Sequence, residues 1–127
     1  NYLLPRECPR VCWQVGKHED GILASSAPRV VAIEQRWLAR STRAGLLVHQ
    51  LAPDGFRLAD SAAGYWTSSQ MCKVVGVERV DDCPAELARH KVELRITDTL
   101  WPYVDAVSRS SAEFSVIRIR NAMPRPT

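Results

Sequence analysis

The chain has 127 residues, 46% of them hydrophobic and 24% charged, the balance of one globular domain, which excludes wholesale disorder. Seventeen basic against fourteen acidic residues leave a net charge of +3, well short of a protein that coats DNA. No apolar run approaches the ~18 residues of a membrane span, so a membrane partner is not expected.

The first ten residues, Asn1-Tyr2-Leu3-Leu4-Pro5-Arg6-Glu7-Cys8-Pro9-Arg10, read as the interior of a domain, and a segment upstream of them is expected. Residues 10–15 carry β-favouring side chains and read as a strand, followed by a loop over 16–28. Val30-Val31-Ala32-Ile33 is a continuous apolar run, as a strand buried on both faces requires. Residues 34–41 read as a short helix, Gly45 ends it, and 46–51 form another strand. Pro53-Asp54-Gly55 is a turn leading into 56–60. The small residues Ser61-Ala62-Ala63-Gly64 precede a short strand at 65–68. Residues 73–80 are the strongest strand signal, and Asp81-Asp82-Cys83-Pro84 caps a helix that runs to His90. Residues 92–96 alternate apolar with charged, so a half-buried strand with Glu93 and Arg95 facing solvent is expected. Thr97-Asp98-Thr99 then caps a helix whose Leu100, Trp101, Tyr103, Val104 and Val107 share one face. A last strand is expected within 113–120, with a helix as the alternative, and the tail after Met123 is expected to fray. Six or seven strands and about three short helices, without regular βαβ alternation, predict a single α+β domain over 1–127 with a mixed, mostly antiparallel sheet.

Cys8, Cys12, Cys72 and Cys83 match no zinc-ribbon spacing and form no CxxC pair. Reduced thiols in a cytoplasmic protein are the expectation; a Cys8/Cys12 or Cys72/Cys83 disulfide, or a four-thiolate metal site, are the alternatives. The three histidines, His18, His49 and His90, are scattered and read as solvated or pairing with a helix end.

Three groups of residues can carry function. Tyr65, Trp66 and Ser68, entered through small residues, can stack a flat ring and hydrogen-bond its polar edge, or simply pack. Glu113 follows a Ser-rich bend and can act as a general base or polarise a ribose hydroxyl; its plainer role is a solvated cap. Arg118 and Arg120 share the polar face of the last strand and, with Arg6 and Arg10, can bind phosphate through guanidinium forks. The four tryptophans are expected mostly in the core.

The opening segment 2–11 resembles a family of uncharacterised bacterial domains. Val31-Ala32-Ile33-Glu34, Ala62-Ala63-Gly64-Tyr65-Trp66, Leu100-Trp101-Pro102 and Ile117-Arg118-Ile119-Arg120-Asn121-Ala122 continue the likeness in order. A more distant likeness is to ADP-ribosyltransferase-like folds, including RNA 2′-phosphotransferase relatives. That resemblance implies NAD as cofactor, Tyr65 stacking on nicotinamide and Glu113 orienting the ribose, with the pattern's early His upstream of Asn1. Two readings follow: an NAD or nucleotide-binding domain of that kind, or a non-enzymatic domain binding RNA or a protein partner through a basic sheet face. The sequence leaves oligomeric state, substrate and catalytic competence open.

Overall fold

The computed structural model describes residues 3–17, 19–60, 65–110 and 114–126. The apolar run of 30–33 lies at its centre, in strand β2 (Arg29–Glu34), where every residue from Val30 to Glu34 is buried. Strand β1 (Arg10–Gln14) flanks β2 antiparallel on one side, and β7 (Val92–Thr97) flanks it parallel on the other. Strand β8 (Ser115–Arg118) pairs antiparallel with β1, so the sheet runs β7-β2-β1-β8.

Strand alternation sends neighbouring residues to opposite faces, and both faces of this sheet are covered. Val11, Trp13, Val30 and Ala32 pack against helix α3 (Trp101–Arg109) and Leu23 of a 3-10 turn at Gly21–Leu23. Cys12, Val31 and Ile33 pack on the other side against Leu4, Cys8, Trp37 and helix α2 (Cys83–Arg89), which contributes Cys83 and Leu87. Asp82 caps α2 by accepting the Ala85 N–H at 3.1 Å, and Pro84 occupies the first turn, as the sequence pattern requires.

The parallel connection from β2 to β7 carries the rest of the chain. It starts with a 3-10 turn at Gln35–Trp37 and one helical turn, α1 (Leu38–Ser41). Strands β3 (Leu46–Leu51), β4 (Phe56–Asp60), β5 (Tyr65–Ser68) and β6 (Val74–Val80) then form a nested hairpin, β4 pairing with β5 and β3 with β6. The result is an antiparallel arm rooted in the core by Leu46, Val48 and Val80. Gly55, at φ +82° in the turn before β4, is a position that an L side chain would strain.

The fold is α+β with mixed sheets, as expected, and several details differ. Eight strands stand among the described residues, because the arm divides into four. The loop over 16–28 contains the 3-10 turn, and the helix expected from Glu34 begins as a second 3-10 turn after β2 has taken Glu34. Thr99 does not cap α3 from the N-cap position, which Leu100 holds; its Oγ1 accepts the Trp101 N–H at 3.4 Å. Strand β7 is half-buried as expected, but Glu93 and Arg95 are only partly exposed to solvent. Arg95 lies 5.6 Å from the Trp13 ring and 5.9 Å from that of Tyr103, pairs with Glu93 at 2.6 Å, and donates to the Ile22 and Ala24 carbonyls. The 3-10 turn, through Ile22 and Ala24, and Tyr103 of α3 thus cover part of that polar face.

Candidate functional site: an arginine-lined cleft

The N-terminal segment is fixed by a buried cation. Arg10, 1% exposed, donates from Nε to the Cys8 carbonyl at 3.1 Å and from Nη2 to the Pro5 carbonyl at 2.6 Å. The Cys8 N–H also reaches Pro5 O at 3.0 Å, closing a turn that leaves Arg6 and Glu7 exposed. Burial pulls the Arg10 guanidinium below its usual range.

The 3-10 turn and α1 build the facing wall. Trp37 is sunk into the core while Arg36 and Arg40 lie over its ring, at 5.9 and 4.6 Å. Ser41 donates to the Trp37 carbonyl at 2.9 Å, holding the turn. The indole N–H of Trp37 is buried without a hydrogen-bond partner.

The C-terminal stretch supplies the third wall. Buried Glu34 accepts the Met123 N–H at 2.7 Å and Arg36 Nε at 3.1 Å, while Arg36 also donates to the Asn121 carbonyl. The Asn121 side chain donates to the Glu7 carbonyl at 3.0 Å, and Trp101 Nε1 to the Met123 carbonyl at 2.8 Å. The expected frayed tail is instead strapped down as far as Arg125, which pairs with Asp105 through two 3.0 Å hydrogen bonds.

These walls border two abutting clefts, both open to solvent. One, of about 500 Å³, lies among Glu7, Arg36, Trp37, Arg40 and Asn121; the other, of about 420 Å³, lies among Arg6, Glu7, Arg40 and Arg43. Glu7 and Arg40 line both, 3.8 Å apart and both exposed, which makes theirs a weak, displaceable pair. Four guanidinium groups thus line the clefts with one exposed carboxylate, Arg36 among them already paired with buried Glu34. Such a surface attracts phosphate, which guanidinium forks match in shape and charge.

A family model described as "Family of unknown function (DUF6886)" matches residues 1–122. The chain belongs to that family. No curated protein and no solved structure matches it.

Of the residues singled out in the sequence, Arg6 lines a cleft, and Arg10 lies beneath it as the clamp of the 5–8 turn. Arg118 stands opposite Arg10 in the β1–β8 register, while Arg120 lies past the end of β8 in a turn closed by the Ala122 N–H on Ile119 O. Both are exposed on the stretch leading into Asn121. Tyr65 and Trp66, more than half exposed, stand on β5, which pairs with β4 alone and contributes no residue to either cleft. Ser68 accepts the Gln70 N–H at 3.1 Å in the arm. Glu113 and His18 lie outside the described residues. Sequence reading passed over Arg36, Arg40 and Arg43; the available signal was their density, three arginines in eight residues around a tryptophan.

The remaining ionisable groups point elsewhere. Burial pushes the Cys8 and Cys12 thiols up to about 11, and Cys83 is also raised, first by burial and then by Asp82. Cys8 and Cys12 therefore hold no thiolate at neutral pH. Among the described residues all four cysteines are free, and no group of three His, Cys, Asp or Glu is placed to hold a metal ion. No described helix is long and apolar enough to cross a membrane. A larger cleft of about 790 Å³ opens between the first 3-10 turn and α3, but its walls mix Glu19, Asp20 and Asp105 with Arg109 and Arg125 and carry no dominant charge.

Proposed function

We propose that the chain binds a nucleotide of the NAD class by its phosphates, in the two clefts around Arg40. The observation that carries this reading is the set of Arg6, Arg36, Arg40 and Arg43 against two carboxylates, exposed Glu7 and the buried Glu34 that holds Arg36. Cleft volumes of this size suit a small ligand. Trp37 offers no stacking face there, because Arg36 and Arg40 lie over its ring, so recognition runs through phosphate rather than base. The described residues suit the pyrophosphate of NAD and leave its nicotinamide end without a partner, since Tyr65, Trp66 and Ser68 sit on the arm. No transfer step follows from them, and ADP-ribosyl transfer through Tyr65 and Glu113 stays the finer form of this reading.

The test is calorimetric titration with ADP-ribose, NAD and inorganic pyrophosphate at low and high salt. Binding of all three, weakened by salt and lost at least tenfold in Arg40→Glu with an unchanged melting temperature, is the expected result. Equal affinity in wild type and Arg40→Glu removes the site. Nicotinamide release from NAD, abolished by Glu113→Ala, would establish the finer form. Exposed Arg118 and Arg120 extend the positive surface beyond the clefts and favour RNA as the second reading. In that case a single-stranded oligonucleotide outcompetes ADP-ribose and Arg118→Glu weakens it.

A further inference from the structure

Of the twelve large hydrophobic side chains that stand exposed among the described residues, nine lie between Leu47 and Val77, on the arm. Their arrangement on the β3–β6 ribbon is ordered. Leu46, Val48 and Val80 turn toward the core, so alternation sends Leu47, His49 and Leu51 to the opposite face. Val77 stands opposite His49 and Arg79 opposite Leu47. A bulge at Gln50/Leu51 sets Leu51 against Val74 and leaves Val75 as the extra residue. Leu47, Leu51, Val74, Val75 and Val77 therefore form one aliphatic outer face, each between 41% and 60% exposed.

We propose that this outer face packs against the same face of a second copy of the chain. Three observations select that occupant. A two-fold contact brings identical patches together, so it needs a patch without net charge. Residues 46–80 carry Arg57, Lys73 and Arg79 against Asp54, Asp60 and Glu78, a sum of zero, while the rest of the chain carries the whole +3. Apart from His49 and Arg79 the face is aliphatic, with no Phe, Tyr or Trp among its side chains. Arg79, its one cation, is held by Asp81 at 2.8 Å. Finally, the ribbon is a two-stranded sheet whose inner face is covered at Leu46, Val48 and Val80 and whose outer face is not, and a second ribbon about 10 Å away covers it. Leu58 and Trp66, cross-strand partners in the distal half of the arm, are also exposed, and the arm as a whole exposes apolar surface on the order of the ~800 Å² that each partner contributes to a standard interface.

The test uses the full chain and its own exposed thiol. Cys72 lies on the arm, and Cys8, Cys12 and Cys83 are buried, so a nitroxide reagent at neutral pH labels Cys72. Sedimentation velocity across roughly micromolar concentrations should show a monomer–dimer equilibrium. Pulsed electron–electron resonance on the labelled dimer should show one intermolecular distance. Val77→Asp with Val75→Asp should weaken dimerisation at least tenfold while circular dichroism stays native, since both side chains are solvent-facing in the monomer. Leu47→Lys provides an independent variant from the facing strand. A wild type that stays monomeric throughout, or a dimer that tolerates both sets of changes, overturns the proposal and leaves the face to a different chain.

Discussion

Arg10 separates the structural arginines from the ligand-facing ones, and Arg10→Met is the sharpest way to show it. The substitution keeps an unbranched side chain of similar reach and removes the Nε bond to the Cys8 carbonyl and the Nη2 bond to the Pro5 carbonyl. Hydrogen bonds from a charged donor contribute about 1.5–3 kcal/mol each. Pro5 O keeps the Cys8 N–H, so its loss is partial. Against this, a buried cation no longer has to be desolvated, a relief that wins only when its partners are replaced as well. Here the carbonyls remain, and the net cost is about 2–4 kcal/mol. For a chain of this length about 4 °C of melting temperature goes with each kcal/mol, so a fall of roughly 8–16 °C is expected. Arg10→Lys keeps the charge yet reaches at most one carbonyl, and should fall about half as far. The assay is thermal unfolding by circular dichroism, with ADP-ribose titration on the same samples below the transition. Arg10→Lys should bind ligand within a few-fold of wild type, since its side chain lies under the 5–8 turn rather than in the cleft. An unchanged melting temperature together with lost binding would place Arg10 in contact with ligand and refute the argument.

Lys91 sits just past α2 with φ +60°, a conformation unfavourable for any residue with a Cβ. Lys91→Gly should therefore raise stability by about 0.5–1 kcal/mol, read from denaturant midpoints at unchanged slope. Glu34→Gln leaves one amide where two oxygens accepted Met123 N–H and Arg36 Nε. It should cost about 1–3 kcal/mol and speed hydrogen exchange at Met123 while sparing β2. The thiols give a pH signature. Unfolded thiols ionise near 9.0 and folded Cys8 and Cys12 near 11, so the unfolded chain loses those protons first. Stability from this source is complete below pH 9 and falls between pH 9 and 11, by about 1.4 kcal/mol per pH unit for each thiol. Cys8→Ala should remove half of that slope. At neutral pH iodoacetamide should modify Cys72 alone until denaturant is added.

Elements whose information is local were legible in the sequence. The run 30–33 reads as a doubly buried strand because four successive apolar side chains have no polar face to offer water. Asp82 with Pro84 marks the start of α2 because cap and first-turn chemistry are fixed by adjacent residues. The aliphatic arm reads as strands for the same reason. What it packs against does not, since alternation gives two faces and never says which is covered.

That limit explains Arg10 and Arg95 together. Both stand at polar positions of alternating strands, and a polar position at a strand end reads as solvent-facing. Arg10 shares its face with Cys12, and that face is interior because residues 3–8 fold back across it. Arg95 shares its fate through α3 and the 3-10 turn. In each case the guanidinium, buried in Arg10 and partly exposed in Arg95, bonds backbone carbonyls of the segment that covers it, Pro5 and Cys8 for one, Ile22 and Ala24 for the other. An arginine of this kind is a tie between a strand and its covering loop, and its partners are carbonyls that no sequence pattern displays. The cleft arginines depend on ties of longer reach: Arg36 to Asn121 across 85 positions, Glu34 to Met123 across 89, Asn121 to Glu7 across 114. Arg36 and Arg40 line the first cleft only because those bonds hold the C-terminal stretch against the N-terminal turn. Cutting one of them, as in Glu34→Gln, should weaken ADP-ribose binding with every arginine still in place but Arg36 loosened from its carboxylate; retained affinity with a released Met123 amide would show that α1 holds the cleft arginines unaided.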